Sequence, residues 1–170
     1  MALTPAITDL EQLKHHPAVA RLVGWNPEAV TGVKFDREEM TIYVHRDHLR
    51  EACVLLKEDS ACPFNFLSDI TCVDLYPSEP RFEVIYHLLS IPNKERVRLK
   101  VRLGSDSPVV ESLTPVWPGA NYFEREVFDL FGIQFQGHPD LRRIMLPDEW
   151  RGHPLRRTEP LGAEDRKSVV

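Results

Sequence analysis

The densest chemistry in the chain lies in "EREVFDLFGIQFQGHPDLRRIMLPDEW", from Glu124 to Trp150. Glu124, Glu126 and Asp129 supply carboxylates, Arg125, Arg142 and Arg143 supply guanidinium groups, and His138 adds a titratable ring. Two facing carboxylates, one in a pocket that raises its pKa, would make a general acid and base for hydrolysis. The spacing argues against that use. Residues two apart on a helix, such as Glu124 and Glu126, point in different directions, whereas Arg125 and Asp129 are four apart and placed to pair. Phe123, Val127, Leu130 and Phe131 recur at helical spacing as one apolar stripe, with the acids mostly off it. Asn121 with Glu124 has the form of a capping box, and Gly132 suits the left-handed position that closes a helix. The segment reads as a capped amphipathic helix whose charges pair with each other or with a partner.

Metal and nucleotide chemistry find little support. Cys53, Cys62 and Cys72 are widely spaced, without the close pairs of zinc or iron–sulfur ligation. Cys53 falls on the apolar face of an expected helix and reads as core filler. His45 and His48 have no companion ligands, and His138 and His153 each precede a proline in a turn, so structural or interface roles are expected for all four. The eight glycines are scattered and form neither a dinucleotide nor a phosphate-loop pattern.

Behind the helix an internal echo appears: "GHPDLRR" from Gly137 to Arg143 and "GHPLRR" from Gly152 to Arg157. Prolines at 139, 147, 154 and 160 deny this region a long helix or a central strand. Its apolar content is too small to bury as a domain, so it is expected to be an extended arm laid across another surface. Trp150, Met145, Leu155 and the arginines are side chains of the kind that anchor interfaces.

The elements that must position these residues follow from periodicity. Thr8 and Glu11 suggest a capping box for a first helix, and Pro17 restarts it. "GVKFD" and "EMTIYVH" read as strands, and Asp47 as the cap of a helix carrying Leu49, Ala52, Cys53 and Leu56 on one face. "FNFLSDITCVDLYP" is a third strand. "RFEVIYHLLSI", apolar on both faces, is expected to be a central, covered strand. "RVRLKVRL" follows across a "PNKE" hairpin, with Val97, Leu99, Val101 and Leu103 on one face and Arg96, Arg98, Lys100 and Arg102 on the other. The sheet is expected to end near residues 104–108.

With 170 residues and 42% hydrophobic content, the chain suits one α+β domain: a largely antiparallel or mixed sheet with helices on one face, plus the C-terminal arm. A formal charge of −5 argues against nucleic acid, so the basic strand face is read as solvated and paired with neighbouring acids. No apolar run approaches the roughly 20 residues of a membrane span, and the N-terminus lacks the blocks of a secretory signal. These features predict a soluble chain, or one peripheral to something larger. The expected boundaries are residues 1–118 for the α+β domain, 119–135 for the helix and its exit, and 136–170 for the arm.

The motif "EREVFDLFGIQFQGHPDLRRIM", continuing into "LPDEWRGHPLRR", closely resembles the signature of the 30-kDa subunit family of proton-pumping NADH–quinone oxidoreductase, respiratory complex I. "FNFLSDITCVDLYP", "RFEVIYHLLSI" and "VWPGANYFERE" resemble the family too, so the likeness covers roughly residues 63–157. The resemblance implies a non-catalytic structural and assembly subunit in the peripheral arm of the complex. It would lie on the cytoplasmic face of the inner membrane, with its C-terminal arm on a hydrogenase-like large subunit and other peripheral-arm subunits nearby. It implies no flavin, cluster or metal in this chain, those cofactors belonging to partner subunits. Glu124, Arg125, Glu126 and Asp129 would organise the junction of domain and arm; His138, Arg142, Arg143, Trp150, Arg156 and Arg157 would dock the arm. Where relatives often carry Lys-Asp, this chain has Arg157-Thr158; the short polar tail that follows leads us to expect a free-standing subunit rather than a fusion. Alternatives are the equivalent subunit of a membrane-bound hydrogenase or a ferredoxin- or F420-linked quinone reductase, and a stand-alone hydrolase using the acids of residues 124–129. Truncation after Gly137 is expected to leave a folded domain that no longer joins its complex.

Overall fold

The computed structural model describes residues 5–159. Helices α1 (Leu10–Leu13) and α2 (Pro17–Trp25) precede strands β1 (Val30–Asp36) and β2 (Glu39–Val44). Helix α3 (Leu49–Lys57) leads to β3 (Phe66–Asp74), β4 (Phe82–Ser90) and β5 (Glu95–Leu103). A short β6 (Val109–Glu111), helix α4 (Ala120–Phe131) and β7 (Gln134–Gln136) complete the α-helices and strands of the described residues. The first five strands form one sheet in the order β1-β2-β5-β4-β3. All its neighbours are antiparallel except β2 and β5, which run parallel because the connection between them carries α3 and two further strands. The α+β architecture with a mixed sheet is the one periodicity predicts.

Alternation fixes the core. Val97, Leu99, Val101 and Leu103 of β5 are buried, together with Ile42 of β2, Leu49 and Leu56 of α3, and Ile70 of β3. On the other face three of the four basic side chains pair laterally with acids. Lys100 Nζ lies 2.6 Å from Glu83 Oε1, Arg102 Nε lies 3.2 Å from Glu83 Oε2, and Arg98 bonds Glu39. β5 is the middle strand; β4 lies beside it, interior and buried along most of its length, with Lys100 and Arg102 lying over Glu83. Cys53, Cys62 and Cys72 are free and buried.

Four local expectations change. The cap of α1 is Asp9 rather than Thr8, its carboxylate accepting the Glu11 amide at 2.9 Å. Asp47 does not cap α3; its own amide donates to His45 Nδ1 in the turn before that helix. The large sheet does end at Leu103, but the chain then forms β6, which pairs in parallel with β7 from beyond α4 in the chain. No alternation over three residues could reveal that pair. Finally, α4 begins at Ala120 with Gly119 as its N-cap, which has no side chain to cap it; Asn121 lies inside the helix and Glu124 bonds Ser112 and Leu113 instead.

Candidate functional site: the signature helix and the segment that grips it

Helix α4 buries two of its acids. Glu124 and Asp129 are fully buried beside the apolar Ala120, Val127 and Phe131, whereas Glu126 is exposed on the outer face. This overturns the reading of the acids as lying off the buried stripe. Burying a carboxylate costs several kcal/mol unless it is hydrogen-bonded, so each must be saturated with donors. The structure shows how.

Glu124 Oε1 accepts the Leu113 amide and Oε2 lies beside the Ser112 hydroxyl, both at 2.6 Å. The carboxyl therefore ties α4 to the loop after β6. Burial pushes it up to about 7, against the opposing pull of those two hydrogen bonds and of the Arg50 charge. A folded-state pKa above the unfolded one means the folded chain keeps a proton that the unfolded chain has lost between about pH 4.5 and 7. Stability should fall across that window by about 3 kcal/mol and level off above pH 7. The depressed values of His16, His87 and His153, set by burial, pull the opposite way. The contrast between parent and Glu124→Gln isolates the effect. In urea unfolding from pH 5 to 8, the variant should lose this fall; equal slopes in both proteins would refute the assignment.

Asp129 is saturated differently. Its Oδ2 accepts the amides of Ile144, Met145 and Leu146 at 3.0, 2.8 and 2.9 Å, and its Oδ1 takes Arg143 Nη1 at 2.5 Å. Burial alone would raise the Asp129 carboxyl, but these four donors outweigh it and hold it below the usual carboxylate range. The expected Arg125–Asp129 pair does not form. Arg125 instead donates to the carbonyls of Arg142 and Arg143 at 3.1 and 3.2 Å, so both residues hold the following segment rather than each other.

From residue 137 to residue 159 the backbone forms no helix or strand and lies against α4 and the end of β3. The two sequence echoes grip opposite ends of the helix. In the first, Gly137 has φ +82° and His138 Nε2 lies 3.1 Å from Asn121 O, near the start of α4. In the second, Gly152 has φ +86° and His153 Nδ1 lies 2.9 Å from Asp129 O, near its end. A helix leaves its last carbonyls without internal partners, and cations are favoured there by the helix dipole. Here Leu155 N donates to Leu130 O at 3.1 Å, and Arg156 Nε donates to Phe131 O at 2.6 Å. Gly132 closes α4 at φ +75°, and a Cβ there would meet Arg156 Nη2 at 2.5 Å and the His153 ring at 2.6 Å. Glycine is required both for the turn and for this close approach.

The far end of the segment is fastened to the sheet. Asp74, at the end of β3, forms a two-pronged pair with Arg81 at 2.9 and 2.7 Å and also accepts the Arg157 amide at 2.8 Å. Arg81 Nη2 reaches Thr158 Oγ1 at 3.0 Å, and its guanidinium lies over the rings of Tyr76 and Phe82. The Arg81 pair holds the Asp74 carboxyl well below the usual range. Arg157 Nη1 donates to Tyr76 O.

Of the sequence-derived residues, the structure gathers Glu124, Arg125, Asp129, His138, Arg143, Arg156 and Arg157 at the contact between domain and segment. Arg142 pairs with Asp140 in solvent, and Glu126 and Trp150 face outward. Asp74 and Arg81, which bond the end of the segment, and Ser112 and Leu113, which hold Glu124, were missed. Once these fastenings are made, the segment still exposes Met145 at 62%, Leu155 at 51% and Trp150 at 44%, with Ile144 beside Met145 and Tyr122 also exposed on α4. Among the described residues no helix is long and apolar enough to cross a membrane.

Comparison with known proteins gives this arrangement a context. Residues 42–165 match the family model described as respiratory-chain NADH dehydrogenase, 30 Kd subunit. The chain is 46% identical over 153 residues to an NADH-quinone oxidoreductase subunit of Roseiflexus sp. (strain RS-1), covering 90% of this chain and 88% of that one. It is 43% identical over 155 residues to the subunit of the same name from Geobacter sulfurreducens, covering 91% and 94%. Among solved structures, a trypsin-resistant fragment (1-134) of Nqo5 aligns with a TM-score of 0.52 at 34% identity, covering 61% of this chain and 83% of that one. A chain of the membrane-bound sulfane sulfur reductase, an archaeal respiratory membrane complex, aligns with a TM-score of 0.66 at 27% identity, covering 80% and 78%.

Proposed function

Because this chain belongs to the family of the 30-kDa subunit of respiratory-chain NADH dehydrogenase, we propose that it is a structural and assembly subunit of an NADH–quinone oxidoreductase. It serves electron transfer from NADH to quinone, coupled to proton translocation, without carrying out a step of it. The observation that carries this reading is the use made of the charged motif. Asp129 is consumed by four donors from the following segment, and Glu124 by the Ser112–Leu113 loop. Neither carboxyl is open to a substrate, as a hydrolase would need.

What the motif leaves over is a surface. Fastened at both ends, the segment turns Met145, Trp150 and Leu155 outward on a firm base, with the exposed Arg142 in the same segment and the exposed Glu126 on α4. Exposed apolar anchors among arginines suit a protein partner. In our reading that partner is the hydrogenase-like large subunit of the complex, on the cytoplasmic face of the membrane. Flavin and iron–sulfur clusters reside in partner subunits. Residues 136–170 then act as the docking arm, its first part stiffened by α4.

The likeness to a chain of a sulfane sulfur reductase favours one alternative, in which the same scaffold serves a respiratory complex with another electron donor or acceptor. The two readings separate on one experiment. The tagged chain is purified from detergent-solubilised membranes of its source, and the proteins that come with it are identified. A hydrogenase-like large subunit together with a flavin-bearing NADH-oxidising subunit supports the first reading. The large subunit without an NADH-oxidising partner supports the second. Recovery of the chain alone contradicts both.

A further inference from the structure

Glu124 and His138 meet at the root of the 137–159 segment with both side chains wholly buried, and Glu124 Oε2 lies 3.9 Å from His138 Nε2. That is too long for a hydrogen bond, yet close enough for the charge on one to act on the other.

The hydrogen bonds assign the protons. His138 Nδ1 accepts the Asp140 amide at 3.0 Å, so the ring is neutral and its hydrogen sits on Nε2, which donates to Asn121 O. The Ser112 hydroxyl lies 2.6 Å from Glu124 Oε2 and 2.8 Å from Thr114 Oγ1. A protonated Glu124 can donate to Ser112 Oγ while Ser112 donates to Thr114 Oγ1, which leaves every group paired. An ionised Glu124 keeps the Leu113 amide and takes the Ser112 hydroxyl as a donor, but it is then a buried anion with no cation of the described residues bonded to it. The other titratable groups that act on it or feel its charge are Arg50 and Cys53 from α3 and Tyr86 from β4. Arg50 is already shared with Glu111 at 3.3 Å, and Cys53 and Tyr86 are buried acids that carry no balancing positive charge. The next donor is His138 Nε2–H at 3.9 Å; the Arg50 guanidinium makes no ion pair with Glu124, although its buried Nε has no partner among the described residues.

We propose that Glu124 and His138 form a proton-responsive latch at the root of the segment. With the proton on Glu124, the His138 ring bridges Asn121 O and the Asp140 amide and holds the turn closed. When that proton leaves to solvent, the carboxylate draws Nε2–H away from Asn121 O. The ring cannot make that move and keep its bond from the Asp140 amide, so the turn at residues 137–140 loosens. Between about pH 4.5 and 7, each opening releases one proton.

The test uses the isolated full-length chain, so its outcome does not depend on which complex the chain joins. Amide hydrogen exchange at Asp140, corrected for intrinsic rate, is followed from pH 6 to pH 8, with the His138 Nε2–H resonance recorded alongside. A carboxyl at about 7 in the closed state and near its ordinary value in the open state makes opening about tenfold easier across that range. The parent should show that increase, with the His138 resonance moving about the same midpoint, and Glu124→Gln should show neither. Unchanged Asp140 protection in the parent, or equal pH dependence in Glu124→Gln, would overturn the proposal. Should Glu124→Gln fail to fold, the parent alone decides: a His138 Nε2–H resonance that stays fixed from pH 6 to 8 is incompatible with the latch.

Discussion

Replacing Asp129 with alanine should destabilise the chain by about 4 kcal/mol and release the turn at residues 142–146. The estimate rests on four hydrogen bonds to one charged group, each worth roughly 1.5–3 kcal/mol. They are discounted because they are not additive and because water can reach the freed amides at the exposed Ile144 and Met145. Asn should be little better. Its single carbonyl oxygen can serve either the three amides or Arg143, and in the first arrangement its own NH2 faces the guanidinium, donor against donor. Urea unfolding measures the loss, and limited trypsin digestion locates it, since Arg142 and Arg143 lie at the freed turn. An alanine variant within about 1 kcal/mol of the parent, with cleavage at those arginines no faster, would contradict this account of the buried acid.

The second large effect is expected at Asp74. Removing one member of a buried ion pair costs about 3–5 kcal/mol, because the other charge is left unpaired. Asp74→Ala strands Arg81, whose side chain is only 11% exposed, and removes the acceptor of the Arg157 amide. The position of the damage distinguishes the two variants. Asp74→Ala should speed trypsin cleavage at Arg156 and Arg157 while the turn at residues 142–146 stays protected by Asp129. Loosening of both regions in either variant would mean that the segment is held as one unit rather than by two independent clasps. Since the Asp74 carboxyl is held below its ordinary value, its contribution is present at neutral pH and fades as pH falls below the unfolded carboxyl range near 4.

The parts of this structure legible in the sequence are those written in a local period. Strand β5 declares both faces by alternation, α3 declares its buried face by helical spacing, and Gly132 marks the end of α4. The "GHP" echo was visible as well, although only the structure shows that its two copies grip the two ends of one helix. What escaped was the placement of Glu124 and Asp129 in the interior. An apolar-stripe argument assigns charged residues to solvent, and it fails when their compensation comes from elsewhere. Three of the partners of Asp129 are main-chain amides, which any residue but proline carries. Asp74 and the Arg157 amide are 83 residues apart and share no pattern. The missed residues are also those that bring the functional motif together, as expected where local and tertiary preferences conflict.

The most direct test of the central claim, that the charged motif fastens a docking surface rather than performing catalysis, is affinity purification of two tagged forms from membranes. One is the parent chain and the other carries Met145→Asp and Trp150→Asp. Both side chains point to solvent in the isolated chain, so the double variant should fold with stability close to the parent. The account predicts that the parent brings down the hydrogenase-like large subunit and the double variant does not. Equal recovery of that subunit with a correctly folded double variant would contradict it.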